Sequence, residues 1–202
     1  AAAGVAHLSA ILRHDPSDAL AANRLVSALV HRRWARPIVS PLVHGARVTM
    51  ASFAPDGRHV LTASVEQAAR VWDAESGQTI FSLPHNGPVS LAQFSHDGRR
   101  IITASRDGTA RIWDARAGAQ SSVLQHNGEV HWAEFSPDGR FVVTAGADQL
   151  GCIWDAVTGQ LQRELRGHAR PVVLARFSPD GKLIATADDG GALRLWNAVS
   201  GE

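Results

Sequence analysis

Short runs in which apolar and polar residues alternate fill most of this 202-residue chain, and they come in sets of four. In the best-formed set, Val89 to Phe94, Arg100 to Ser105, Thr109 to Trp113 and Gln120 to Leu124 each read as a strand. Turn-forming residues, including Asp97-Gly98 and Asp107-Gly108, separate them. Alternation over about five residues, bounded by Asp, Gly and Ser, predicts half-buried β-strands. Asp-Gly between two such runs predicts a tight hairpin, because glycine takes a positive φ without steric cost. The sets repeat. Trp72, Trp113, Trp154 and Trp196 lie 41, 41 and 42 residues apart. Phe53, Phe94, Phe135 and Phe177 keep the same steps, as do His44, His85, His126 and His168. Asp56-Gly57, Asp97-Gly98, Asp138-Gly139 and Asp180-Gly181 each follow a Phe by three residues. Four markers on one period predict four copies of one supersecondary unit. Four short strands cannot bury both their faces, so the units must stack. The predicted fold class is all-β.

Residues 1–35 lack this alternation. Ala6 to Leu12 predicts a helix, and Asp15-Pro16-Ser17-Asp18 breaks it and supplies a new start. Leu20, Ala21, Leu25, Ala28 and Leu29 then fall on one helical face within Ala19 to Arg33. The chain thus divides into a short α-helical segment, residues 1–35, and a repeat domain, residues 36–202.

Residues 85–114, HNGPVSLAQFSHDGRRIITASRDGTARIWD, end on Trp-Asp and carry the marker residues in order. On this motif the chain from about Pro37 to Glu202 resembles the WD40-repeat β-propeller family, in its highly regular bacterial form. The resemblance implies a WD40 β-propeller of four four-stranded blades around a central axis. It also implies a tetrad in each blade, with His before the first strand, Ser on the second, Asp in the turn and Trp on the third. Such a tetrad satisfies buried polar groups. Unit two has all four residues, His85, Ser105, Asp107 and Trp113, and is expected to be the most rigid blade. Unit one has His44, Ser64 and Trp72, with Glu66 for Asp, whose extra methylene is expected to loosen the geometry. Unit three has His126, Asp148 and Trp154, with Gly146 at the Ser position. Unit four has His168 and Trp196, with Asp188 at the Ser position and Gly190 at the Asp position. The stretch DPSDALAANRLVSAL, residues 15–29, resembles the end of a tetratricopeptide-type helical array; an amphipathic pair or a linker helix reads equally from its pattern.

Strand order raises a question of completeness. Pro37 to Val43 stands relative to His44 as Thr79 to Pro84 stands relative to His85, which predicts an orphan outer strand. Trp196 closes a third strand, and no fourth follows. In WD40 proteins such an exchange closes the ring and removes an open strand edge. Four blades are fewer than such rings usually hold, which leaves three completions, in this order: a partial ring continued by missing repeats, a homodimer completing an eight-bladed ring, or one small closed ring.

His85, Ser105 and Asp107 alone carry the residue types of a hydrolytic triad. A triad would not recur at a fixed period, however, so these residues are read as structural and no catalytic residue is assigned. Met50, Leu91, Trp132 and Leu174, each three residues before a Phe, predict packing between neighbouring blades. Cys152, on a predicted strand, reads as a small buried hydrophobe. His7, His14, His31, His59 and His96 show no metal-ligand spacing, so no metal or cofactor is expected. His131 falls outside the period and reads as either a recognition residue or a polar strand end.

Composition narrows the partner. At 45% hydrophobic residues and net charge +1 the chain is not a disordered polymer. Twenty basic residues against 19 acidic ones argue against nucleic-acid binding, and Arg32, Arg33 and Trp34 are too few to reverse that. No apolar run reaches the ~18 residues of a membrane span. Ala1 to Ala10 lack the head and core of a signal peptide. One cysteine suits a reducing, cytoplasmic setting. Lys182 is the sole lysine, an arginine bias that fits a GC-rich bacterial genome. By resemblance, WD40 domains dock proteins or peptides on a top face. Its positions here are Arg47, Thr49, Val65, Pro88, Ser90, Arg106, Glu129, His131, Ala147, Pro171, Val173 and Asp189. The expected function is a noncatalytic protein-protein interaction scaffold within a larger bacterial signalling protein. The alternatives are a regulatory domain of an enzyme such as a serine/threonine kinase, and nucleic-acid binding.

Overall fold

Fifteen strands follow one another in a computed structural model that describes residues 39–201, and no helix occurs among the described residues. They form four antiparallel meanders. Blade 1 holds β1 (Val48–Phe53), β2 (His59–Ser64), β3 (Ala68–Asp73) and β4 (Thr79–Pro84). Blade 2 holds β5 (Val89–Phe94), β6 (Arg100–Ser105), β7 (Thr109–Asp114) and β8 (Gln120–Gln125). Blade 3 holds β9 (Val130–Phe135), β10 (Phe141–Gly146), β11 (Gly151–Asp155) and β12 (Leu161–Leu165). Blade 4 has three strands, β13 (Val172–Phe177), β14 (Leu183–Asp188) and β15 (Leu193–Asn197). The helical pair expected over residues 1–35, with His7, His14, His31 and Arg32-Arg33-Trp34, lies outside the described residues.

The turns form as their sequences dictate. Ser95 Oγ donates to Asp97 Oδ1 at 2.6 Å, and the Asp97 carboxylate accepts the Arg99 N–H, so the β5–β6 hairpin closes on its own side chains. Gly98 follows at φ 67°. The β7–β8 turn is tighter in its demands. Gly118 sits at φ 66°, and a Cβ there would lie 2.8 Å from the Phe81 ring of blade 1. Its missing side chain lets adjacent blades approach at the outer edge.

Apolar faces hold the blades together. β5 packs on β1 and β2, β9 on β5 and β6, and β13 on β9 and β10. Leu61, Val71, Leu83, Val89 and Ala92 form the layer between blades 1 and 2, with Met50 packed against it. Leu91, Ile112, Leu124, Val130 and Phe135 form the next, and Val143, Ile153, Leu165, Val172 and Ile184 the third. Met50 and Trp132 each join two of these layers, and Leu91 lies in the middle one. Cys152 is buried on β11.

As the sequence predicts, blade 4 has no fourth strand after Trp196 among the described residues, and the other three blades have four strands each. One expectation is corrected. The orphan strand expected over Pro37 to Val43 is absent from residues 39–43, which are irregular. There Val39 and Leu42 lie against the β3–β4 turn at Gly77 of their own blade, and no strand pairs with the outer edge of β15.

Candidate functional site

Each blade carries one buried polar chain that links its second and third strands to the loop before the first. In blade 2, Trp113 Nε1–H donates to Thr103 Oγ1 at 2.8 Å, and Thr103 Oγ1 lies 2.7 Å from His85 Nε2. His85 Nδ1 lies 3.0 Å from Asp107 Oδ2. An ionised carboxylate only accepts, so Nδ1 carries the proton, and Nε2 accepts the Thr103 hydroxyl. The chain therefore runs Trp113 to Thr103 to His85 to Asp107 with a neutral imidazole. Trp72, Thr62, His44 and Glu66 repeat it in blade 1, and Trp154, Thr144, His126 and Asp148 in blade 3. Trp196, Thr186, His168 and Asp188 repeat it in blade 4.

The hydroxyl that joins His to Trp thus belongs to a threonine, and the serines do something else. Ser105 Oγ donates to the carbonyls of Gly87 and Pro88 and accepts the Asp107 N–H, which fixes the turn that carries the carboxylate. Ser64 does the same for Glu66. Thr62, Thr103, Thr144 and Thr186 lie 41, 41 and 42 apart, so the period itself marks them. The carboxylate of blade 4 is corrected too. Asp188 reaches His168 at 2.8 Å from the position where blades 1 and 2 hold serine, and its Oδ1 accepts the Gly190 and Ala192 N–H groups. Glu66 keeps the His44 bond at 3.1 Å, yet it is the most exposed of the four carboxylates and also binds Arg70. Gly146 leaves room for its carboxylate: a Cβ there would lie 2.6 Å from Asp148 Oδ1.

Electrostatics agree with this assignment. Burial holds the His85 and His126 imidazoles below their ordinary value, against the pull of Asp107 and Asp148. Burial pushes Asp107 up, but Thr109, the Asn86 N–H and His85 outweigh it and bring the carboxyl down to about 2. Burial pushes the Cys152 thiol up to about 12, which removes its nucleophilic form at neutral pH. His59 pairs with Asp56 in an exposed turn, and His96 is exposed. No cluster of three or more His, Cys, Asp or Glu suited to a metal occurs among the described residues.

The positions expected on a top face share a structural feature that the sequence did not announce. Register along the inner strands skips one residue per blade, and the skipped residues are Thr49, Ser90, His131 and Val173. A bulge leaves its extra residue out of the ladder and re-aims its side chain. Beside each bulge the turn residue is tied back to the strand: the Val65 N–H donates to Arg47 O, Arg106 to Pro88, Ala147 to Glu129 and Asp189 to Pro171. Twelve positions thus form four similar clusters at one end of the inner strands. Arg106 Nε lies 3.6 Å from Glu129 Oε2, and Thr49 donates to Val89 O, so neighbouring clusters are coupled. Arg47, Arg106, Glu129 and Asp189 are exposed there, and no aromatic residue stands among the twelve. At the opposite end, clefts open between the hairpin turns of neighbouring blades. One, of about 250 Å³, is lined by Pro55, His59, Phe94, Arg99 and Arg116.

Comparisons with known proteins fit the blade pattern. The family model described as "WD domain, G-beta repeat" matches residues 37–73, 77–114, 118–155 and 159–197, each match ending on the third strand of a blade. Among solved structures, the chain is similar to a computationally designed protein, Ika4. Its crystal structure agrees with a TM-score of 0.73 at 25% identity, over 81% of this chain and 99% of that one. A comparison with curated proteins found no match.

Proposed function

The chain belongs to the WD40 family, and from that premise we propose that its bulged end is a noncatalytic docking platform for a protein or peptide. The observation that carries this reading is the row of four bulges, Thr49, Ser90, His131 and Val173. They take one residue per blade out of the ladder at the same end as the exposed Arg47, Arg106, Glu129 and Asp189. Mixed charges without an aromatic anchor favour a polar partner surface of modest affinity, since aromatic residues and arginine supply most interface hot spots. The histidines, threonines and carboxylates that could otherwise do chemistry are committed to the blade interiors. In this reading the platform belongs to a larger bacterial signalling protein and works in the cytoplasm, on the strength of its arginine bias and single buried cysteine. A second copy of the chain is a further partner, seated on the end blades and not on this platform.

The double substitution Arg47→Glu, Arg106→Glu tests the platform. Both side chains are exposed, so the fold is spared. Capture of partners by the immobilised chain is expected to fall at least several-fold. Unchanged capture would remove the top-face assignment.

A further inference from the structure

The four blades are stacked by one interface used three times, and among the described residues nothing covers its two halves at the end blades. On the β1-type side, Val89, Val130 and Val172 are fully buried beneath the preceding blade, whereas Val48, at the same position in blade 1, is 42% exposed. Ala92, Ala133 and Ala175 are buried and Ala51 is exposed. Phe135 is buried, and Phe53 is 69% exposed. On the other side, Val71, Ile112 and Ile153 are buried beneath the following blade, while Leu195 in blade 4 is 63% exposed. Ala69, Ala110 and Gly151 are buried, and Leu193 is 65% exposed. No blade-to-blade packing like that of β5 on β2 joins blade 4 to blade 1 among the described residues.

We propose that a second copy of this chain covers both faces, blade 1 of each copy docking on blade 4 of the other, so that two copies close one ring. The occupant follows from the faces themselves. Blade 4 presents the apolar side that blades 1 to 3 present to their successors, and blade 1 presents the apolar side that blades 2 to 4 present to their predecessors. A head-to-tail contact of this kind either closes into a ring or runs on as a filament, and two copies make the smallest assembly that leaves no face uncovered. Inside the chain, the strand before β5 pairs with β3, so in the ring the segment before β1, which lies at the Gly77 turn in the single chain, would move to the open edge of the other copy's β15. That segment carries Leu42 where β4 carries the buried Leu83. Open apolar faces and an open strand edge are both contacts that invite a partner.

Light scattering on the purified 202-residue chain, from below micromolar to tens of micromolar, reads the outcome. The mass expected is that of two chains. Phe53→Asp and Leu195→Asp each alter a side chain that is exposed in the single chain, so both variants should keep the parent circular dichroism spectrum. Each alone should be a monomer, because every interface in its ring would be damaged. An equimolar mixture should regain dimer, because one interface then joins two unaltered faces. A parent monomer at every concentration overturns the proposal and assigns the faces to further repeats or to another protein. Growth into filaments overturns the two-copy ring. A dimer that survives Leu195→Asp overturns the head-to-tail pairing. The Arg47→Glu, Arg106→Glu variant should remain dimeric, so failure of the platform and failure of the ring are read separately.

Discussion

Thr103 has more polar work to do than its chemistry suggests. Its hydroxyl accepts from Trp113 Nε1 and donates to His85 Nε2, and all three side chains are buried. Thr103→Val keeps the shape and removes both bonds, stranding an indole N–H and an imidazole nitrogen. Each stranded buried group costs about 1–3 kcal/mol, so the variant should lose about 2–6 kcal/mol in urea denaturation. Ser105→Ala strands mainly the Asp107 N–H, since the Pro88 carbonyl keeps the Arg106 N–H, and should lose about 1–2 kcal/mol. Equal losses would make the serine, not the threonine, the joint of the tetrad. The same chain sets the response to acid. His85 and His126 lie below their ordinary 6.5, so the unfolded chain takes up protons first. Their contribution is complete above 6.5 and is lost as pH falls through the lower folded values. Asp107, at about 2 against an ordinary 3.8, adds a second loss that begins below about 4. The melting temperature should therefore fall between pH 7 and pH 5 and fall again below pH 4, as followed by circular dichroism. A rise on acidification would contradict a neutral His85.

At the scale of the element, alternation and turn chemistry nearly sufficed. The strands read from the sequence of unit two, Val89 to Phe94, Arg100 to Ser105, Thr109 to Trp113 and Gln120 to Leu124, differ from the observed ones by one residue at most. Period-two patterning and Asp-Gly hairpins are local, so a local reading recovers them. The bulges at Thr49, Ser90, His131 and Val173 were not legible. A bulge is a property of pairing between two strands, and nothing at Ser90 or Val173 marks it within either strand alone. The threonines were hidden differently. A threonine in mid-strand reads as an ordinary β-former, and only its partners on the next strand and in the loop before the first strand give it a role. Asp188 was hidden by the reverse error. Position in the repeat assigned it to serine's place, whereas a side chain longer than serine reaches His168 from there and takes over the carboxylate's bond.

Across the whole molecule, stability should follow the number of covered faces. Repeat arrays gain stability from each neighbour interface, and local opening is easiest where packing is one-sided. Among the described residues, blades 2 and 3 are covered on both faces, blades 1 and 4 on one, and blade 4 has no outer strand. Their central strands carry comparable tetrads, so unequal protection would come from stacking and not from differences within a blade. In the Leu195→Asp chain, where the proposed ring cannot form, amide exchange should be slowest in β6 and β10, faster in β2, and fastest in β15. In the parent chain the same ring would cover every face, and protection in β2 and β14 should rise toward that of β6. If β15 exchanges as slowly as β6 in the Leu195→Asp chain, each blade is stable by itself and the tetrads outweigh the stacking. If the gradient persists unchanged in the parent chain, the end faces stay open in solution.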